Sequence, residues 1–174
     1  MRILLTGKIG IGKTSVCEKI VERAKKNGFT CCGILTRRLE EGGENTGLLV
    51  EDISTGKKKV LAHRITDGKN PKGTRFCNFI FIESAIEFAK KALFKRGDLL
   101  VIDEFGYLEL EGGGFKNALS AFKSEINKNS ILVVRKELKE DVSKLLGCDF
   151  KVFEVNQKNR EELPEVILTE MFIN

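Results

Sequence analysis

The sequence predicts an α/β fold of three layers, a mostly parallel sheet with helices on both faces and an inserted β-hairpin, in one domain over residues 1–174. Three observations carry that expectation. Short apolar runs alternate along the chain with stripes of helical period. Two of the runs, Leu99 to Ile102 and Ile131 to Val134, contain no polar residue, as strands covered on both faces require. Two further runs flank Ser54-Thr55-Gly56, the pattern of a hairpin.

Each element follows in order. Ile3-Leu4-Leu5 reads as a buried strand. Val16, Cys17, Ile20, Val21 and Ala24 then mark one face of a helix that begins near Lys13 and is closed by Asn27-Gly28. Phe29 to Thr36 reads as a strand, and Glu41-Gly42-Gly43-Glu44-Asn45 as a turn. Leu48-Leu49-Val50 and Val60-Leu61-Ala62 form the hairpin. Residues 64–78, with Gly68, Pro71 and Gly73, are polar and irregular and are expected to be a mobile loop. Ile82, Ala85, Ile86, Ala89 and Leu93 predict a second helix before Lys95-Arg96-Gly97. The run from Asp98 to Asp103 is a strand that ends on an acid. Phe115, Ala118, Leu119, Phe122 and Ile126 predict a third helix, Ile131 to Val134 a strand, and Leu138, Val142, Leu145 and Leu146 a short helix stopped by Gly147. Phe150 to Val155 reads as the last strand and Leu163, Ile167 and Met171 as the last helix.

Composition narrows the function. Hydrophobic residues at 41% can bury a core, and 32% charged residues mark an ordered soluble chain. The formal charge of +5 is too small an excess to indicate nucleic acid and suits a small anionic ligand. No run of about 18 apolar residues occurs, so no membrane span is expected, and Met1 to Gly7 is too short for a signal peptide. The 5 cysteines are odd in number and form no CxxC, which reads as reduced thiols in a cytoplasmic protein and not as a metal site. Lysine, arginine and glutamate are abundant while Gln157 is the only glutamine, a thermophilic leaning.

The stretch GKIGIGKT, residues 7–14, stands between the first strand and the first helix. Gly7, Gly12, Lys13 and Thr14 fit G-x-x-x-x-G-K-[ST]. Glycines let the backbone wrap closely enough for several N–H groups to face one phosphate, and the helix start adds its positive end. Lys13 can reach the β- and γ-phosphates and the Thr14 hydroxyl can ligate Mg²⁺. Such a loop needs a partner acid at the end of a neighbouring strand, and Leu99-Leu100-Val101-Ile102-Asp103 supplies it. Glu104 follows at the carboxyl edge of the sheet, where ligands bind, and a glutamate there can hold and polarise a water. Thr14 and Asp103 are therefore the expected metal ligands, and Lys13 and Glu104 the catalytic residues.

These residues, with three further segments, resemble the thermophilic nucleoside-triphosphatase family, also called the cancer-related nucleoside-triphosphatase family. The segments are Gly33-Ile34-Leu35-Thr36 followed by Glu41-Gly42-Gly43 and Thr46-Gly47-Leu48; Ile102 to Leu110; and Val152-Phe153-Glu154-Val155 with Asn159-Arg160-Glu161-Glu162-Leu163-Pro164. Together they span nearly the whole chain in the family's order. The resemblance implies a compact P-loop NTPase fold that slowly hydrolyses ATP, GTP, CTP, UTP and other triphosphates with Mg²⁺; separately, a monomer is expected. It places the nucleotide against Gly7, Lys8, Ile9, Gly10, Ile11, Gly12, Lys13, Thr14 and Ser15, against Val101, Ile102, Asp103, Glu104, Phe105 and Gly106, and near Arg160. Ile9 stands where the family's loop carries proline, and Glu40 where it carries arginine, with Arg37 and Arg38 as nearby substitutes.

The remaining polar residues read more plainly. His63 sits at a strand end, Lys57-Lys58-Lys59 at a hairpin end, and Asn159 as a helix cap. Phe105 and Tyr107 read as packing residues. Arg64 or Arg75 could close over phosphate. The alternative function is a small kinase passing the γ-phosphoryl group to a nucleotide or metabolite, with Arg37, Arg64 and Arg75 on the acceptor. A switch GTPase is disfavoured, because Asn127-Lys128-Asn129-Ser130 only imitates a guanine-reading motif. Nucleic-acid binding rests on the mild positive charge alone.

Overall fold

The computed structural model describes residues 1–65, 72–115 and 117–172. The chain runs β1 (Arg2–Gly7), α1 (Lys13–Lys26), β2 (Cys31–Glu41), β3 (Glu44–Asp52), β4 (Lys58–Arg64), β5 (Thr74–Phe76), β6 (Phe79–Phe81), α2 (Glu83–Leu93), β7 (Leu99–Phe105), α3 (Tyr107–Leu110), α4 (Ala118–Lys123), β8 (Asn129–Arg135), α5 (Lys139–Leu146), β9 (Lys151–Glu154) and α6 (Leu163–Phe172).

The strands form one sheet in the order β5-β6-β4-β3-β2-β7-β8-β1-β9. Strand alternation sorts the parallel half into two cores. Leu4, Ile34, Leu100, Ile102, Leu132 and Val134 face one side with α2, α4 and α5. Ile3, Leu5, Leu99, Val101, Ile131 and Val133 face the other with α1 and α6. Each such side chain leaving water contributes about 1.5–3 kcal/mol, so these strands cannot slip by one residue without exchanging their faces.

The sheet is evenly mixed, where a mostly parallel one was expected. β2, β7, β8, β1 and β9 pair in parallel, and β3, β4, β6 and β5 continue the sheet antiparallel from β2. Part of the excess comes from the segment 64–78, read as an irregular mobile loop. Thr74–Phe76 is strand β5, too short to show a period; residues 66–71, with Gly68 and Pro71, lie outside the described residues.

Two helical expectations change, and one short helix was not foreseen. α3 is a single turn, too short to carry a stripe. α4 ends at Lys123 because Ser124 turns extended and its hydroxyl takes the Ile126 N–H, leaving Ile126 exposed. Leu145 of α5 is also exposed.

One glycine fixes the seam between β2 and β7. Gly33 has φ +100°, and a Cβ there would lie 2.0 Å from the Val101 carbonyl oxygen. Backbone, not a flexible side chain, occupies that space. Gly33→Ala is therefore expected to cost more than about 2 kcal/mol, the sum of left-handed strain and a forced strand separation. A urea midpoint within error of wild type would contradict this.

Candidate functional site

β1 ends where the loop begins, and α1 starts at Lys13. The loop glycines Gly10 (φ +76°) and Gly12 (φ +104°) adopt backbone that side chains resist. The loop thus curls over the carboxyl end of the sheet. The Lys13 ammonium, buried, donates to the carbonyls of Gly7 and Lys8 at 3.0 and 3.1 Å. It closes the loop on itself and stands where an anion on the loop would meet it.

Asp103 approaches from β7. It is 1% exposed and accepts the Thr36 N–H at 3.3 Å, while the Thr14 side chain hydrogen-bonds to it. Burial, then the neighbouring Glu104 charge, push its carboxyl up to about 7, against the pull of Thr14, Thr36 and Lys13. Cys17, one turn into α1, lies beneath it, its thiol pushed well up by burial and by the Asp103 charge. Glu104 faces the other way, toward Arg135 at the end of β8, with Nε to Oε1 at 2.6 Å.

These groups open on one cleft of about 780 Å³. Ile9, Gly10, Gly12, Lys13, Thr14 and Ser15 line its loop side, and Asp103, Glu104 and Gly106 its β7 side. Gly7, Lys8 and Ile11 do not line it. Val101, Ile102 and Phe105, expected at the nucleotide, are buried and do not reach the cleft: Val101 faces the α1 core, and Ile102 and Phe105 the α2 core. Arg160 is half exposed and stands outside the lining, its Cδ 4.0 Å from where a Gly12 Cβ would be.

The other expected residues divide. Arg37 lines the cleft but is engaged by Glu18 at 2.5 Å and by Glu51. Arg38 lines the cleft, is exposed, and has no hydrogen bond or ion pair with a described residue. Arg64, Arg75 and His63 do not line it. Asn159 bonds Asn156 N–H and the Glu154 carbonyl, both at 2.9 Å, and so fixes the turn that carries Arg160. Asn127 is buried under the Gly97 N–H at 2.8 Å, before the start of β8 and away from the loop. Arg135 was not singled out from the sequence. In the sequence it is only the first charge after the apolar run of β8; its place beside Glu104 comes from the pairing of β8 with β7, Val134 opposite Phe105.

The raised Asp103 carboxyl has a sign that can be checked. Its folded value, about 7, lies above the ordinary value of about 3.9, so folding favours the protonated form. In metal-free protein this contribution is full below about pH 4 and is lost as pH rises toward 7. Asp103→Asn cannot ionise and escapes that loss. The variant is expected to be more stable than wild type by a few kcal/mol at pH 8, with a smaller difference at pH 5, in urea melts run in chelator. Parallel wild-type and variant curves across that range would refute it.

A family model described as NTPase matches residues 2–168. The nucleoside-triphosphatase THEP1 of Methanopyrus kandleri is 32% identical over 95% of this chain and 92% of its own. That of Methanocaldococcus jannaschii is 30% identical over 98% and 97%. Among solved structures, a human cancer-related nucleoside triphosphatase superposes with a TM-score of 0.78 at 26% identity, over 99% of this chain and 98% of that one. THEP1 from the hyperthermophile Aquifex aeolicus gives 0.66 at 25% identity, over 99% of both chains. A loop built to wrap an anion, a buried acid facing it, and matches that run nearly end to end agree: the chain belongs to the NTPase family.

Proposed function

We propose that the protein hydrolyses nucleoside triphosphates to diphosphate and phosphate, slowly, with Mg²⁺ and with broad tolerance of the base. It does so as a cytoplasmic, single-domain monomer that needs no nucleic acid. The observation that carries this reading is the meeting of Lys13, Thr14 and buried Asp103 at the loop, with Glu104 one residue on.

The donor set fits Mg²⁺. Asp103 is a carboxyl buried without a full counter-charge, beside a hydroxyl, in a place a cation would relieve. Magnesium is commonly held by one or two protein oxygens together with substrate phosphates and waters. Thr14 and Asp103 would hold it, and bound there it would neutralise charge on the β- and γ-phosphates.

The chain's own groups do the rest. Loop N–H groups and the α1 start bind the phosphates. Lys13 exchanges its loop carbonyls for phosphate oxygens, a charge-assisted contact. Glu104 orients a water and accepts its proton as the water attacks the γ-phosphorus. Arg135, at the end of β8, holds the Glu104 carboxylate in place. Broad base tolerance is supported by Asn159, whose amide is spent on the β9–α6 turn and not on reading a base.

Phosphate release from the common ribo- and deoxyribonucleoside triphosphates tests this. Rates within about tenfold of one another are expected, and excess chelator should stop turnover in all. A thousandfold preference for one base would contradict it, since only a site that hydrogen-bonds one base discriminates that strongly.

Glu104→Gln separates binding from chemistry. The amide keeps the shape but cannot accept a proton at neutral pH. Nucleotide affinity should stay within a few-fold, while turnover falls by about 10²–10⁴. Single-turnover hydrolysis beside equilibrium binding decides; unchanged turnover would remove Glu104 from the chemistry.

A further inference from the structure

Hydrolysis leaves half of the cleft without a purpose. Water as the nucleophile needs about 30 Å³. The cleft, about 780 Å³, continues past Glu104 over β2, β3, β4, β5 and β6. There its lining is Leu48, Leu61, Phe76, Phe79, Phe81 and Phe115. Neither phosphate nor water calls for an aromatic wall.

The sheet order separates the two ends of a bound triphosphate. β1, which carries the loop, lies between β8 and β9, and Arg160 follows β9. Glu104 lies on β7, and Leu48, Leu61, Phe76, Phe79 and Phe81 of the wall lie on the strands beyond β2 on the far side. Displacement at the γ-phosphorus keeps attacking and leaving oxygens roughly in line. With Glu104 on the attacking side, the diphosphate and its nucleoside extend back toward Arg160. The aromatic wall therefore flanks the incoming nucleophile and not the outgoing diphosphate.

We propose that the aromatic half of the cleft binds a nucleoside as a phosphoryl acceptor, so that the protein also transfers the γ-phosphoryl group to a nucleoside hydroxyl. This rests on the placement of the triphosphate and Glu104 given under Proposed function. A flat base suits a wall of rings; Phe79 and Phe81 stand edge to face with centroids 6.4 Å apart. The Asn45 side-chain oxygen accepts the Gly47 N–H at 3.1 Å, and its NH₂ bonds no described residue, leaving a donor for a base edge. Arg38, exposed and without a described partner, sits two residues beyond Thr36 and opposite Leu48 in register, between the wall and Asp103. It offers a cation to the phosphoryl group in transit. In the step, the acceptor hydroxyl oxygen bonds to the γ-phosphorus. The bond from that phosphorus to the β–γ bridging oxygen breaks, and its electron pair leaves on the nucleoside diphosphate. The hydroxyl proton passes to Glu104. Nothing is oxidised or reduced.

The full chain with Mg²⁺ and γ-³²P-labelled ATP is incubated with adenosine, guanosine, cytidine, uridine or thymidine, and products are separated. Labelled nucleoside monophosphate from at least one is expected, with labelled inorganic phosphate falling to match. Phe79→Ala should lower the ratio of transfer to hydrolysis by about tenfold, the scale of one lost base–ring stack; circular dichroism checks its fold, and Phe76→Ala is the second variant. Labelled inorganic phosphate alone, at the same rate with every nucleoside, overturns the acceptor site and leaves the hydrolase reading standing. Transfer that neither variant reduces overturns its placement on the wall. Label that never leaves ATP overturns the hydrolase reading and this inference together.

Discussion

A carboxyl group buried at the end of a strand is the constraint around which the site is assembled. Asp103 is almost fully enclosed, and a charge there without partners is costly. Thr14, Thr36 and Lys13 each offset part of that cost. None of them is a neighbour in sequence. Thr14 and Lys13 arrive because the loop turns into α1 at the end of β1. Thr36 arrives because β2 lies against β7, and the Gly33 backbone lets it lie that close. The balance stays unfavourable, so the free protein holds a group whose ionisation it opposes. Stability is lost at the place where a cation would be bound, as is common where a site must accept a charged ligand.

Much of the fold could be read from the sequence because burial on both faces leaves a plain trace. β7 and β8 show no polar residue in their cores, and α1 shows its stripe and its Asn27-Gly28 end. Short elements leave less. β5 and β6 have three residues each, below the length at which alternation can be told from chance, and α3 has a single turn. The antiparallel half was therefore seen as one hairpin where the chain makes a longer run of strands.

The site divides in the same way. The loop and the Asp103-Glu104 pair are local patterns and were legible; Asn159, read as a helix cap, instead holds the turn after β9, four residues before α6 begins. Pairings made by the fold were not. Arg37 looked like a replacement phosphate ligand, yet Glu18 of α1 and Glu51 of β3 hold it. Arg135 was not singled out, yet the pairing of β8 with β7, Val134 opposite Phe105, brings it to Glu104. Val101, Ile102 and Phe105 belong to a site-bearing segment, but alternation sends them into the cores. A motif names a segment; only the pleat decides which of its residues face a ligand.

The change of sheet direction at β2 explains why one cleft has two chemistries. On the parallel side, β1 runs into the N-terminus of α1, and that helix end attracts anions. On the antiparallel side, β2, β3 and β5 run directly into neighbouring strands, and α2, which follows β6, carries Glu83 in its first turn. An acid at that position satisfies the helix end internally. Beyond β2 the backbone therefore has little to offer a phosphate, and what a ligand meets is the side-chain face of the strands, which is apolar because it continues the α2 core through Leu48, Leu61 and Phe81. Charge at one end and rings at the other are thus consequences of topology. A ligand filling the whole cleft would have to be anionic where it meets the loop and flat and apolar where it meets β6.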